Sequence, residues 1–237
     1  MTTLKSGLRI FMPNLLLHRL SLGFFWAFEN QISFFRWVFL HKVLRKLNYD
    51  VNSNTTSGVS YSQEAFSQFS PLGRIYFPLF ALMCIPIELE KKILIIGPRY
   101  ENEIYIARSL GFAKKNVSTL DTFSYSPLVD IGDMHEMKYS DNEFSYLLCS
   151  WTLSYSANPK LASNEMVRVT KPGGLIAISV EKVSETEMLR GVSGTLKGKD
   201  RIQTKAQIQD LFSDCEIKIC LEPEESGFFI CVLQKKN

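Results

Sequence analysis

The stretch Lys91–Glu103, KKILIIGPRYENE, decides the fold of this chain. Two lysines precede four aliphatic residues, Ile93 to Ile96, and Gly97 and Pro98 follow directly. A short β-branched run bounded by turn residues is typical of a strand buried on both faces. The Gly-Pro pair ends the strand and allows the backbone to approach a ligand closely. Because ligands of open α/β sheets bind beyond the carboxyl ends of the strands, this turn is a candidate cofactor site. An ordinary turn after a buried strand has the same pattern.

The chain beyond this turn alternates strand and helix patterns. Strands are predicted at Val117–Leu120, Leu128–Ile131, Phe144–Cys149, Leu175–Val180, Glu216–Leu221 and Phe228–Leu233, and helices at Asn102–Leu110, Pro159–Val169 and Thr204–Phe212. This alternation predicts an α/β fold with a doubly wound, mostly parallel, seven-stranded sheet. The short turn between the last two strands predicts an antiparallel terminal hairpin. The segment between Asp121 and Leu128 is too short for a helical crossover, so we expect no helix there.

The beginning of the chain differs from the rest in charge. Residues 1–50 contain seven Lys or Arg against Glu29 and Asp50, a net charge of +5, whereas the whole chain carries +3. From Phe34 to Leu47 apolar residues recur at helical spacing with basic residues between them. We therefore divide the chain into a basic amphipathic helical extension (1–50), a linker and lead-in segment (51–89) and a main domain (90–237). The lead-in segment is predicted to contain a short helix near Tyr76–Met83.

Three roles remain open for the extension. It is a helical cap on the main domain, an interfacial anchor on an anionic membrane, or an oligomer interface. No uncharged apolar run approaches the roughly 20 residues that span a bilayer. Arg9 and Arg19 interrupt the only candidate signal segment, so we expect no cleavable signal peptide. A cytoplasmic location is expected, with membrane association as an open alternative, and the oligomeric state is not predicted.

Composition and motifs argue against several functional classes. The five cysteines form no CxxC pair and the three histidines are far apart, so a disulfide framework and a metal site have little support. Residues 51–237 are slightly acidic and contain no basic strip with interleaved aromatics, which disfavours nucleic acid as a partner. The absence of a G-x-G-x-x-G turn disfavours a nicotinamide-dependent oxidoreductase.

Residues 90–236 resemble the class I S-adenosylmethionine-dependent methyltransferases, with a methyltransferase type 11-like domain. The resemblance rests on four stretches in the same order: ILIIGPRYENE, VSTLD, GDMHEMKYSDNEFSYLLCSWTLSY and EMVRVTKPGGLIAISVE. It implies that the Gly97 turn holds the methionine part of the cofactor and that Asp121 binds the ribose hydroxyls. It also implies that Asp133 accepts from the adenine amino group and that the Met134 backbone meets the ring. In the alternative, purely structural interpretation, the two aspartates are turn or helix caps.

The resemblance yields a set of candidate cofactor residues. They are Gly97, Pro98, Arg99, Glu101, Asp121, Thr122, Gly132, Asp133, Met134, Ser150 and Trp151. This chain keeps only Gly97 of the family's three-glycine turn, which implies a different turn or a partly blocked pocket. Arg99 and Glu101 are expected to compensate by pairing with the methionine carboxylate and ammonium, unless they form a solvated ion-pair surface.

The resemblance also implies methyl transfer by in-line displacement, in which alignment of the acceptor does most of the catalytic work. A hydroxyl acceptor needs a general base as well, and the candidates are His135, Tyr155 and Glu181. Trp151 is expected either to form an apolar wall of the reaction cavity or to pack in the core. The predicted acceptor is a small organic molecule. The alternative is a catalytically inactive, methyltransferase-like binding or scaffold domain.

Overall fold

The structure is a computed structural model and describes residues 27–49, 74–182, 202, 204–224 and 227–237. The helices are α1 (residues 27–37, continued by a π-helical segment at Val38–Val43), α2 (Tyr76–Met83), α3 (Glu101–Ser109), α4 (Pro159–Val169) and α5 (Lys205–Leu211). The strands are β1 (Asn48–Tyr49), β2 (Ile93–Ile96), β3 (Val117–Asp121), β4 (Phe123–Ser124), β5 (Asp130–Ile131), β6 (Phe144–Ser150), β7 (Thr170–Lys182), β8 (Cys215–Leu221) and β9 (Gly227–Lys235). Short 3₁₀ turns lie at Lys114–Asn116 and Thr152–Tyr155.

Seven strands form one sheet in the order β5-β3-β2-β6-β7-β9-β8. Neighbouring strands from β5 to β7 are parallel, whereas β9 is antiparallel to both β7 and β8. The predicted mostly parallel sheet with an antiparallel terminal hairpin is therefore confirmed. Because β2 lies near the middle of the sheet, its carboxyl end opens between β3 and β6.

Helices cover both faces of the sheet, which makes the fold doubly wound. On one face Met166 and Val169 of α4, Ile208 of α5 and Phe212, which directly follows α5, belong to a buried cluster. On the other face α2 and α3 contribute Leu79, Leu82 and Ile106 to a second cluster. All four residues of β2 are buried, as a central parallel strand requires. The short helix predicted at Tyr76–Met83 is thus confirmed, and it packs against the sheet.

The crossover from β3 to β5 contains no helix, as its length predicted. The short strand β4 lies where a crossover helix would be, and it pairs antiparallel with β1. Leu128 and Val129 lie outside β5, so the predicted strand Leu128–Ile131 is shorter than expected. The reason is local: the Leu128 amide is turned toward Ser126 Oγ, from which it is 3.0 Å away, instead of pairing with β3.

The N-terminal helix α1 packs on the main domain through Trp37 and Leu40, which form a cluster with Tyr100 and Tyr125. The predicted helix from Phe34 to Leu47 is too long at its C-terminal end, because the helical segment ends at Val43 and Arg45 adopts a φ of +50°. The remaining residues of the extension, 1–26 and 50, lie outside the described residues. None of the described helices is long and apolar enough to cross a membrane.

Candidate active site

The turn after β2 requires glycine. Gly97 has a φ of +71°, and a Cβ atom built there lies 1.8 Å from Thr152 Oγ1. Any side chain would therefore meet an unfavourable backbone conformation and the Thr152 side chain together. The Gly97 amide donates to the carbonyl of Leu120 (2.8 Å), which joins the turn to the end of β3. The carboxyl ends of β2, β3 and β6 thus meet at this turn.

Arg74, which precedes α2, reaches this turn from outside the sheet. Its Nη2 donates to the Gly97 carbonyl (2.7 Å) and its backbone amide donates to Glu103 Oε1 (3.1 Å). Ser150, the last residue of β6, donates its hydroxyl to the Arg74 carbonyl (2.6 Å). A second hydroxyl, that of Ser179 in β7, lies 2.7 Å from Ser150 Oγ. Arg74 therefore ties the lead-in segment to the ends of two central strands.

Two guanidinium groups, those of Arg74 and Arg99, lie beside the turn. Glu103 is buried, and burial raises the pKa of its carboxyl group while the Arg74 guanidinium opposes the rise. The pKa of Arg99 is lowered by burial and by the neighbouring charge of Arg74. Among the described residues Arg99 has no hydrogen-bond or ion-pair partner. Arg74 thus faces the carboxyl groups of Glu103 and Asp121, whereas the unpaired guanidinium of Arg99 favours the binding of an additional anionic group.

Asp121 ends β3 beside the Gly97 turn. Burial raises the pKa of its carboxyl group to about 7, against the opposing effects of Arg74 and of hydrogen bonds from the Thr122 and Phe123 backbone amides. The Thr122 hydroxyl lies 3.5 Å from Asp121 Oδ1. A carboxylate that is desolvated to this extent gains from ligand hydroxyls that donate to it.

Gly132 links Asp121 to a second aspartate, because its amide donates to the Asp121 carbonyl (3.0 Å). Asp133 Oδ1 accepts from the backbone amide of His135 (2.9 Å) and lies 2.5 Å from His135 Nδ1. His135 Nε2 lies 2.6 Å from Ser156 Oγ, which accepts from the Asn158 amide (3.1 Å). The ring of His135 is thus held between the Asp133 carboxylate and the Ser156 hydroxyl. Asp133 Oδ2 accepts no hydrogen bond from the described residues.

Aromatic side chains extend from the end of β6 to α2. Trp151 has a φ of +62°, a strained conformation for a bulky residue, and it lies in the position that the sequence assigned to the reaction cavity. Its ring stacks on Phe228 (5.4 Å between centroids), which in turn stacks on Phe77 (4.9 Å). Phe77 and Phe228 are nearly half exposed. The three rings form an open apolar wall, so Trp151 is not an ordinary core residue.

The three candidate general bases occupy different places. His135 is held between Asp133 and Ser156, as described above. Tyr155 ends the 3₁₀ turn after β6, close enough to Arg99 for its charge to affect the Arg99 pKa. Glu181 lies near the end of β7, opposite Phe228 in the β7–β9 register. Glu181 is thereby placed beside the aromatic wall.

Glu101 is the predicted cofactor residue whose surroundings differ most from expectation. Its side chain is buried and accepts from Arg36 Nε (2.5 Å) and Nη2 (2.9 Å) of α1. The hydroxyls of Ser126 and Tyr105 also donate to this carboxylate. A solvated ion-pair surface is therefore wrong for Glu101. Pro98 and Met134 are buried beside the turn and the Asp133 loop, respectively.

Several residues of the site carried no recognisable signal in the sequence. Arg74, Ser156 and Phe228 belong to none of the motifs, and Thr152 lies within one but was not singled out; each acts through a contact with a distant part of the chain. Only Ser156 has a local cue, because Asn158 caps α4 directly before Pro159 and favours a turn at this point. Within the described residues no group of three or more His, Cys, Asp or Glu side chains could hold a metal ion.

Comparison with known proteins identifies a match to the part of the chain that contains much of the candidate site. A protein-family model described as "Methyltransferase domain" matches residues 105–178. No curated protein matches the chain. Solved structures with the same fold are numerous. The MccD protein is 13% identical with a TM-score of 0.51, and the match covers 68% of this chain and 97% of that one.

Two further structures carry methyltransferase descriptions. A chain in the complex between the Haloferax volcanii Trm112 methyltransferase activator and a putative methyltransferase is 16% identical with a TM-score of 0.50, covering 76% of this chain and 94% of that one. A SAM-dependent methyltransferase from Aquifex aeolicus is 13% identical with a TM-score of 0.50, covering 74% and 97%. At these identities the likeness establishes the fold. Together with the family match it confirms the resemblance to class I S-adenosylmethionine-dependent methyltransferases.

Proposed function

Starting from this fold and family resemblance, we propose that the protein transfers a methyl group from S-adenosylmethionine to a small organic acceptor. The observation that carries the proposal is the position of the half-buried Asp121 carboxyl group at the end of β3 beside the Gly97 turn, where burial raises its pKa to about 7. A carboxylate at this position suits two vicinal hydroxyls, because its oxygens can accept from both. The ribose of the cofactor presents such a pair.

The other residues of the site fit the remaining parts of this cofactor. Asp133 Oδ2 is available to the adenine amino group, since both hydrogen bonds from His135 go to Oδ1. Arg99 suits the methionine carboxylate, because its guanidinium has no hydrogen-bond or ion-pair partner among the described residues. Glu101 holds Arg36, so we assign it to anchoring α1 rather than to the methionine ammonium.

The bound cofactor supplies an electrophilic methyl group on a sulfonium, and the chain must align an acceptor with it. We assign that task to the wall of Trp151, Phe228 and Phe77, which suits an apolar or aromatic acceptor and limits the access of water. Glu181 is the candidate general base for a hydroxyl acceptor because of its position opposite Phe228. His135 is a positioning residue that orients Asp133.

A second candidate function is a methyltransferase-like binding or scaffold domain without turnover. The Gly97 turn favours it, because the Thr152 side chain occupies the space beside the single glycine that this chain keeps of the family's three-glycine turn.

Calorimetric titration with S-adenosylmethionine and S-adenosylhomocysteine separates the two functions. The enzyme predicts micromolar binding of both ligands that Asp121→Ala abolishes. Asp210→Ala, which removes an exposed carboxylate in α5, is the matched control and should bind as the wild type does. A folded wild-type protein that binds neither ligand would exclude methyl transfer and favour the scaffold domain.

A further inference from the structure

Helix α1 presents an apolar face to solvent and a partly polar face to the protein. Its inward side carries Ser33, Trp37 and the Arg36 guanidinium that pairs with Glu101. Its outward side carries Phe28, Phe35 and Phe39, which are 56%, 66% and 56% exposed. These phenylalanines are spaced seven and four residues apart and so form one stripe. A helix on a water-exposed surface normally has the opposite distribution.

The stripe continues into the π-helical segment and the residues after it. Val43 and Leu44 are also largely exposed, with Lys42, Arg45 and Lys46 beside them. Glu29 is the only acidic residue between positions 27 and 49, and it lies 3.9 Å from Arg108. The exposed part of this segment is therefore apolar and cationic without a compensating acidic group.

We propose that this face of α1 docks on an anionic lipid surface. Exposed phenylalanines gain free energy when they enter the boundary between headgroups and acyl chains. The adjacent lysines and arginine are attracted by acidic headgroups. A protein partner with an acidic rim offers the same charge, but three protruding phenylalanines in a single stripe suit a fluid apolar layer better than a fixed pocket.

Docking in this way would bring the candidate active site close to the lipid. Arg36 in α1 pairs with Glu101, which follows the Gly97 turn by four residues, so α1 lies at the carboxyl end of the strands. Lipid binding does not itself require methyl transfer. The two proposals can therefore fail independently.

The test is flotation of the full-length chain with vesicles of phosphatidylcholine alone and of phosphatidylcholine mixed with phosphatidylglycerol. We expect binding to the mixed vesicles that weakens at high salt. Phe35→Ser/Phe39→Ser removes the apolar contact and should reduce binding at least tenfold. Arg45→Gln/Lys46→Gln removes two charges and should reduce it roughly thirtyfold.

Matched controls change the same chemistry elsewhere on the surface. Lys114→Gln/Lys115→Gln removes two exposed charges near the amino end of β3, and Leu161→Ser/Leu221→Ser removes two exposed apolar side chains. Both controls should float as the wild type does. Thermal unfolding and titration with S-adenosylhomocysteine report on folding and on the cofactor site separately.

Three outcomes would overturn the proposal. Equal flotation of the wild type and Phe35→Ser/Phe39→Ser would mean that α1 does not make the contact. A wild-type dimer that this substitution converts to a monomer, without vesicle binding, would assign the face to a second copy of the chain. A wild-type protein that is monomeric and does not bind acidic vesicles would indicate that another part of the chain covers this face of α1.

Discussion

Two effects on the ionisation of Asp121 oppose each other. Binding a diol requires the carboxylate form, whereas burial disfavours that form. With a pKa of about 7, the carboxyl group is largely protonated at pH 6 and largely ionised at pH 8. We predict that the affinity for S-adenosylhomocysteine rises up to about pH 7 and falls by nearly tenfold for each pH unit below it. Calorimetric titration across this range checks the prediction. Asp121→Asn should bind more weakly and without this pH dependence, and an unchanged pH profile in the variant would assign the titration to another group.

The same residue should affect the stability of the ligand-free protein. Because the folded-state pKa is raised, the folded protein holds the Asp121 proton more tightly than the unfolded chain does. Its contribution to stability is therefore present at low pH and is lost as the pH rises from about 4 to about 7. We predict that Asp121→Asn melts at least a few degrees higher than the wild type at pH 8 and nearly equally at pH 4. A melting temperature that is lower at pH 8 would show that the carboxylate stabilises the empty site.

Gly97 and Gly173 allow backbone strain to be separated from steric overlap. Both have a φ of +71°, but a Cβ atom at Gly173 meets only Asn237 Oδ1 at 3.5 Å, whereas at Gly97 it overlaps Thr152. We predict that Gly173→Ala costs about 1–2 kcal/mol and that Gly97→Ala costs about 2 kcal/mol more. Denaturant unfolding measures both. Thr152→Ala should recover part of the loss in Gly97→Ala, and additive effects of the two substitutions would contradict the contact.

At the scale of elements, the Arg36–Glu101 pair attaches α1 to the start of α3. Glu101 is buried and Arg36 is partly exposed, so removing the arginine leaves an uncompensated carboxylate inside the protein. We predict that Arg36→Ala lowers the free energy of unfolding by about 2 kcal/mol and makes residues 27–49 more sensitive to limited proteolysis. Lys92→Ala, which removes an exposed pair with Glu143 at 2.9 Å, is the control and should cost less than about 1 kcal/mol. If Arg36→Met/Glu101→Gln is as unstable as Arg36→Ala, burial of the unpaired charge is not the cause.

At the scale of the whole molecule, local sequence patterns predict the sheet because its strands are short, apolar and bounded by turn residues. The helix at Pro159–Val169 is predicted with its observed bounds, since Asn158 and Pro159 define its start. The missing crossover helix is also predicted, because it follows from chain length alone. Asp121 and Asp133 lie at the expected edge of the sheet, because each comes just after an apolar strand pattern.

Contacts between distant segments are not predictable in this way. Arg74 reaches Gly97 over 23 residues of sequence, and Ser156 lies 21 residues from the histidine ring that it contacts. Arg36 and Glu101, which form an ion pair, are separated by 65 residues of sequence. Propensity and periodicity describe only near neighbours along the chain. The residues that decide whether the Gly97 turn accepts a cofactor are therefore visible only in three dimensions.

Because the candidate site is assembled from such separate segments, a ligand that binds there should protect them together. S-adenosylhomocysteine at about 100 times its dissociation constant would stabilise the fold by about 2.7 kcal/mol, which corresponds to a rise of about 5–10 °C in melting temperature. We predict that the ligand slows amide hydrogen exchange in three segments together: residues 97–103, 121–126 and 132–135. Residues 215–221 in the edge strand β8 should change only through the global stability and serve as the internal control. Protection confined to one of the three segments would contradict a shared site, and Asp121→Ala should abolish the effect in all of them.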